Sequence, residues 1–189
     1  MSFAWFIRCL MFKNNVAIWC LGAAAGAAFI HTNNVLAQSL PLSQTAQFVR
    51  AEARHVGDAL FTAPDYKPGI VRHMVMFRFK PHVTQAERDD VTKRFVALAQ
   101  LSRRPDGRAV VTSVEAGPQI SGENADLGLE QGYLVTFRSQ GDRNFYVGQP
   151  VVTDNRYFDP AHDAFKKFAG PYLERVVVFD FPTDVHFQP

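Results

Sequence analysis

Cysteine is scarce in this chain, and neither charge is in clear excess. The 189 residues include two cysteines, Cys9 and Cys20, and 20 Lys+Arg stand against 18 Asp+Glu. No cluster of basic residues interleaved with aromatic side chains occurs in the sequence. This argues against a nucleic-acid partner, which requires a concentrated basic surface. The short basic pairs at 103–104 and 166–167 are expected to be solvated.

Acidic residues are absent from the first 37 positions, which have the layout of a secretory signal peptide. Arg8 and Lys13 precede an apolar run at 16–30, and Val-Leu-Ala at 35–37 is a small-residue cleavage signal. A start at Met11 would place Lys13 directly before the apolar run. The alternative is an uncleaved membrane anchor, but the run is shorter than the ~20 residues that a membrane helix needs.

Cleavage after residue 37 would leave a mature chain without cysteine and with balanced charge. Two basic residues would be lost and every acid kept, so 18 Lys+Arg (20 minus 2) would face 18 Asp+Glu. Bulky Trp19 before Cys20 is unlike a lipidation site. Because both cysteines lie before residue 37, the mature chain would have neither a disulfide nor a thiol. We predict an exported protein, periplasmic or secreted, that is not held in a membrane after cleavage.

The rest of the chain divides by composition into an extension, one domain and a tail. Residues 38–68 begin rich in Ser, Gln and Ala and carry one short helix within 47–60. Pro68 and Gly69 then mark a boundary. The predicted domain spans 69–182, with enough Phe and Val for a real core, and 183–189 form the tail.

Strict alternation over residues 70–80 predicts the first strand of the domain. One side carries, in order, His73, Val75, Phe77 and Phe79. Because the other side also holds apolar residues, we expect both faces to be covered, one by helices of the chain and one by a second molecule. Met74 and Met76 are the predicted dimer-interface residues. The alternative is a strand with one wet face.

Capping chemistry and apolar spacing predict the elements that follow. Thr84 and Glu87 form a capping box, and helical spacing continues to about Leu101. This helix is expected to lay Phe95 and its apolar neighbours on the sheet. Further along, the pattern predicts strands at 110–116 and 132–138, a loop at 120–131 between them, and a turn or short helix at 141–147.

The stretch YFDPAHDAF at 157–165 combines a helix start with a histidine between two acids. Asp159 is a good N-cap and Pro160 suits the first helical position, so a helix is predicted to begin there. His162 lies in the first turn, where the helix dipole favours the neutral imidazole, and it shares an inward face with Phe165. Such a histidine is either a functional group or a core residue bonded to a backbone carbonyl or a neighbouring acid.

A β-branched and aromatic run at 175–181 predicts a last strand that is buried on both sides. The element order is then the α+β ferredoxin-like βαββαβ arrangement, an antiparallel four-stranded sheet with both helices on one face. The opposite face carries Met74 and Met76 and is open in a single chain. A homodimer formed sheet to sheet, closing into an α/β barrel, is expected to cover it.

Three blocks of the sequence resemble the stress-responsive A/B barrel domain family, also called dimeric α/β-barrel (Dabb) proteins. They are VRHMVMFRFK at 71–80, DPAHDAF at 159–165 and VVVFDF at 176–181. The resemblance implies a ferredoxin-like homodimer with a small cavity between the sheet and the helices of each protomer. Many members have no assigned activity. Some related plant members cyclise polyketide chains by aldol chemistry, using histidines that correspond to His73 and His162.

The chain departs from those plant cyclases around the same positions. Asp159 stands where they have a histidine, Phe95 stands where they have a tyrosine, and Tyr157 is offset from their second tyrosine. The segment at 141–158 is also longer. Both histidines are kept, so the resemblance supports a polar pair in the cavity but not the aldol activity itself.

His73 and His162 are the candidate catalytic residues, with Tyr157 beside them. If the helix of His162 covers the strand of His73, both imidazoles face one apolar pocket. One would take a proton from an acidic carbon while the other, or Tyr157, donates to the developing oxyanion. The pocket is expected to be lined by Val75, Phe77, Phe95 and Phe165.

Two classes of function stay open on the sequence. One is an exported protein that binds or transforms a small hydrophobic or aromatic molecule by histidine acid–base chemistry, as a lyase or cyclase. The other is a non-catalytic, stress-associated module of the cell envelope. A metal site of both histidines with Asp159 or Asp163 is disfavoured, because Asp159 is needed as a cap and a third clear ligand is lacking. No cofactor is expected, and a haem- or oxygen-using monooxygenase is a weaker alternative.

Overall fold

The fold is built on a four-stranded antiparallel sheet with the strand order β2-β3-β1-β4. The computed structural model describes residues 41–183. The strands are β1 (Pro68–Phe79), β2 (Ser113–Pro118), β3 (Gln131–Ser139) and β4 (Leu173–Pro182). β1 is central, with β3 and β4 as its neighbours. The predicted α+β ferredoxin-like class is confirmed.

Helices precede the sheet, connect its strands and cover one of its faces. They are α1 (Gln44–Val56), α2 (Asp58–Phe61), α3 (Gln85–Leu101), α4 (Gln140–Val147) and α5 (Pro160–Ala169). Short 3₁₀ helices occupy Asn155–Tyr157 and Gly170–Tyr172. Across residues 41–183, no helix has the length and apolar character needed to cross a bilayer. The predicted signal peptide at 1–37 lies outside the described residues.

The starts of α3 and α5 follow from side chains next to them in sequence. The Thr84 N–H donates to Glu87 Oε2 at 2.8 Å, and the Glu87 N–H donates to Thr84 Oγ1 at 3.4 Å, which completes the predicted capping box. Asp159 Oδ1 accepts the N–H of Ala161 at 2.9 Å, as expected of an N-cap. Both helix starts could therefore be predicted from local chemistry alone.

The core lies between the inner face of the sheet and the helices α3, α4 and α5. Its fully buried members include Val91, Phe95, Leu98, Val135 and Phe137. The ring of Phe95 stacks on Tyr133 with 3.9 Å between centroids and an interplanar angle of 20°. Packed aromatic pairs of this kind add to the free energy gained from burying the rings. The predicted inner faces of β1 and α3 are thereby confirmed.

Two strand predictions need correction. The second strand begins at Ser113 and not at residue 110, because the Val110 N–H donates to the carbonyl of Ser102 at 3.1 Å and so is not paired with β3. The last strand is not buried on both sides in the single chain, since Val178 is 53% exposed and Phe179 59%. β4 is an edge strand, and the helices that cover the sheet pack mainly over the other three strands. The apolar side chains of β4, such as Val178 and Phe179, are therefore partly exposed in a single chain.

The described part of the extension packs against the domain through a second apolar cluster, formed by Ala53, Phe61, Val152 and Phe158. The Asn144 side chain donates to the carbonyl of Phe61 at 2.7 Å. The Gly141 N–H donates to the carbonyl of Tyr66 at 3.0 Å. The turn after α2 is therefore held against the start of α4 by backbone groups.

The close approach at Gly141 gives a sharp test of this packing. A Cβ there would lie 1.7 Å from the carbonyl oxygen of Ala63, although alanine is the better helix former. Gly141→Ala is expected to destabilise the protein by about 2 kcal/mol or more. Chemical denaturation measures the loss. In the matched control, Gly122→Ala, the new Cβ has no atom within 4 Å. Equal stability of the two variants would contradict the packing described.

Candidate active site

An apolar cavity of about 450 Å³ lies between α5, β1 and β4. His73 of β1 and His162 of α5 both line it, so the structure brings the two predicted histidines to one space. The four predicted lining residues are also there. The apolar wall is formed mainly by Val75, Phe77, Phe95, Phe165, Val176 and Val178.

His162 is held by α4. Its Nδ1 lies 2.7 Å from the carbonyl oxygen of Tyr146. Because a carbonyl only accepts, Nδ1 carries the hydrogen and Nε2 keeps a lone pair. The imidazole also stacks on the Tyr146 ring, with 3.9 Å between centroids and an interplanar angle of 15°. The ring orientation and tautomer of His162 are thus fixed by one residue.

The environment of His162 keeps its imidazole neutral. Burial lowers the pKa of His162 to about 3, and the nearby Lys166 cation acts in the same direction. The neutral form was predicted from the helix dipole, but burial is the main cause of the lowered pKa of His162. Nε2 of His162 is therefore an acceptor throughout the neutral pH range.

His73 is held from the opposite side, by β4. Its Nδ1 lies 2.5 Å from Asp180 Oδ1, and Asp180 Oδ2 lies 2.8 Å from Arg143 Nη1. Burial by itself would raise the pKa of Asp180, but the hydrogen bond from His73 and the positive charge of Arg143 act against it, and the pKa is lowered. The ionised carboxylate accepts the Nδ1–H of His73. Nε2 of His73 has no hydrogen-bond partner among the described residues.

Tyr146 stands between the two histidines, whereas Tyr157 is elsewhere. The Tyr146 ring lies edge-on to His73, with 5.8 Å between centroids, besides stacking on His162. Burial raises the pKa of its hydroxyl. Tyr157 is not among the described residues that line the cavity and instead packs against the second apolar cluster. The structure therefore does not support Tyr157 as the proton donor suggested by the sequence.

Three further polar residues at the site were missed by the sequence reasoning. Asp180 lies opposite His73 in the β1–β4 register, so both side chains share the inner face. An acid within an apolar strand run was the available sign. Arg143 reaches Asp180 from α4. Lys166, expected to be solvated, lines the cavity. No group of three or more His, Cys, Asp or Glu residues that could hold a metal ion occurs in the described part of the chain.

Comparison with known proteins shows to which family the chain belongs. The model of the stress responsive A/B barrel domain matches residues 71–183, which is more than half of the chain. The chain belongs to the stress-responsive A/B barrel domain family. The predicted resemblance is thereby confirmed. The match begins after α1 and α2, so the packed extension precedes the family domain.

Relatives of this family member match it at low sequence identity. Olivetolic acid cyclase of Cannabis sativa is 22% identical over 111 residues, covering 59% of this chain and 94% of the cyclase. A crystal structure of an Arabidopsis thaliana protein is 24% identical, covers 62% of this chain and 99% of its own, and has a TM-score of 0.50. The structure of hydroxynitrile lyase from Passiflora edulis is 23% identical, covers 64% of this chain and 99% of its own, and has a TM-score of 0.49. The likeness to the Arabidopsis thaliana structure shows the fold alone.

The buried neutral state of His162 predicts how stability depends on pH. The pKa of His162 in the folded chain, about 3, lies below the unfolded value of 6.5, so protonation favours unfolding. Its contribution is complete above the unfolded pKa and is lost as the pH falls. We expect His162 to contribute a decrease of ~1.4 kcal/mol per pH unit to the free energy of unfolding as the pH falls from about 6 towards 3.

Urea denaturation at a series of pH values measures this slope. His162→Gln keeps a donor for the Tyr146 carbonyl but does not titrate in this range, so its slope below pH 6 should be shallower by about one proton. His55→Gln, which changes an exposed histidine on α1, is the matched control and should keep the original slope. Identical slopes for the protein and His162→Gln would contradict the buried neutral imidazole.

Proposed function

We propose that this protein binds a small apolar or aromatic molecule in the cavity and transforms it by histidine acid–base chemistry of the lyase or cyclase kind. One observation carries the proposal. Both Nδ1 atoms are committed to protein partners, Asp180 for His73 and the Tyr146 carbonyl for His162, and both rings line the same apolar cavity. Two oriented imidazoles in a largely apolar space are suited to moving a proton on a bound ligand.

The two histidines have different partners and therefore different roles. The Asp180 carboxylate stabilises the imidazolium that forms when Nε2 of His73 takes a proton from an acidic C–H of the ligand, so His73 is the proposed general base. His162 faces a carbonyl, lies beside Lys166 and stays neutral, so it accepts a hydrogen bond from a hydroxyl or N–H of the ligand. The proton held by His73 then returns to the oxygen or carbon on which charge develops.

One relative of the chain and the aromatic lining of the cavity support this proposal in general terms. The Cannabis sativa relative is by name a cyclase, which supports chemistry of a similar kind without indicating a substrate. The aromatic wall, in which Phe165 lies edge-on to Phe95 with 5.2 Å between centroids, suits a ligand with an aromatic or hydrocarbon body. Low polarity around the imidazoles also strengthens their electrostatic interaction with a bound ligand.

The test starts with a thermal-shift panel of small aromatic and polyketide-like compounds, since a ligand that binds only the native state raises the melting temperature. Compounds that bind are then assayed for turnover. His73→Gln is expected to reduce turnover by roughly 10²–10⁴-fold, the usual contribution of a general base. His162→Gln should weaken ligand binding, and the exposed His55→Gln is the control. Full activity of a well-folded His73→Gln variant would refute the base assignment.

A non-catalytic envelope module is the second candidate, and one observation favours it. His162 donates to a backbone carbonyl, which is the contact expected of a core histidine. This candidate predicts that no compound in the panel raises the melting temperature and that both histidine variants lose stability.

Export is part of either proposal. N-terminal sequencing of the protein recovered from its host would test cleavage before Gln38.

We also propose that the protein is a homodimer formed through the outer face of the sheet. Met74 lies opposite Phe179 in the β1–β4 register, and Met76 and Leu134 share that face. Phe179 is 59% exposed, and Met74 and Met76 are only partly buried. An apolar sheet face of this kind is usually covered by a partner.

Light scattering of the purified protein tests the dimer. We expect the mass of two chains for the wild type and of one chain for Met76→Glu with Phe179→Glu, because two carboxylates would have to be buried at the interface. Leu101→Glu, at a 60% exposed position of α3 outside this face, is the control and should stay dimeric. A wild-type monomer at micromolar concentration would rule the proposal out.

A further inference from the structure

Lys166 is a partly buried cation that lines the cavity one helical turn after His162. Its Nζ donates to the carbonyl oxygens of Val147 at 2.9 Å and Gln149 at 3.1 Å. An ammonium group has three hydrogens. The third has no acceptor among the described residues. Lys166 is thus fixed at the cavity wall with one donor unused.

No carboxylate forms a direct ion pair with Lys166 within the part of the chain that the structure describes. The nearest candidate on α5, Asp163, pairs with Lys167 at 2.7 Å. Asp159 caps α5 through Oδ1, and its buried Oδ2 has no hydrogen-bond partner among the described residues, Lys166 included. Partial burial lowers the pKa of Lys166, and the more distant charges of Asp163 and Asp159 offset only part of that effect. A bound anion would supply a direct counter-charge.

The other charged groups at the cavity add to the positive balance. Glu174 is the one acid among the described residues that line it, and Glu174 pairs with Arg78 at 3.3 Å. Arg175 also lines the cavity, is exposed, and forms no ion pair with a described residue. Inside, the wall is almost entirely apolar. The cavity therefore combines a largely apolar wall with a cation, Lys166, that has no direct ion pair among the described residues.

We propose that the natural ligand is an apolar monocarboxylate, with its carboxylate on Lys166 and its hydrocarbon or aromatic body against Phe77 and Phe165. The inference rests on the proposed function in using the same cavity, and it adds the charge of the ligand. A monoanion suits a single remaining ammonium hydrogen. Arg175, being exposed, contributes a weaker and more strongly screened attraction.

Calorimetric titration with two probes of nearly equal shape, 4-phenylbutanoate and 4-phenylbutanamide, tests the charge preference on the full chain. We expect the wild type to bind the acid at least tenfold more tightly than the amide. Lys166→Met should weaken binding of the acid by tenfold or more and leave the amide unchanged. Lys166→Arg keeps the charge and should retain most of the preference.

Lys167→Met is the matched control, because Lys167 is the exposed neighbour that pairs with Asp163. It should leave both affinities as in the wild type. Equal loss of acid and amide binding in Lys166→Met would mean that Lys166 only supports the wall, and it would overturn the proposal. So would equal affinity of the wild type for both probes, or binding of neither. Turnover of an uncharged compound that depends on His73 would still leave the proposed function standing.

Discussion

The pairing of β1 with β4, in which His73 lies opposite Asp180, is the constraint on which the site depends. It places a carboxylate 2.5 Å from one imidazole while the outward-facing neighbours of both residues form the other face of the sheet. Since side chains alternate along a strand, a slip of one residue would move Asp180 to that other face. Strand register therefore determines whether His73 has a charged partner at all.

The second histidine depends on α4, and α4 depends in turn on the extension. Tyr146 supplies both the carbonyl and the stacked ring that orient His162. The helix that carries Tyr146 is held by Asn144 on the carbonyl of Phe61 and by Gly141 against Tyr66. Each imidazole thus has its own hydrogen-bond partner, but α4 connects the two, because its Arg143 pairs with Asp180 and its Tyr146 ring contacts both histidines.

Features that depend on neighbours in sequence could be predicted, and features that depend on the assembled fold could not. The alternation of β1, the capping box at Thr84 and the cap at Asp159 each follow from a few adjacent residues. The roles of Asp180 and Lys166 require the strand register and the position of α5 over the sheet. The exposure of β4 was missed for the same reason, because apolar composition does not say which molecule covers a surface.

The contact between α2 and α4 affects where this chain can be divided. The family match begins at Val71, yet the carbonyls of Phe61 and Tyr66 accept hydrogen bonds from the helix behind the histidine pocket. A fragment trimmed to the matched residues would leave the Asn144 amide and the Gly141 N–H without these partners and would uncover the Phe158 ring. A fragment that keeps the packing around His162 must therefore be longer than the family domain at 71–183 and include α1 and α2.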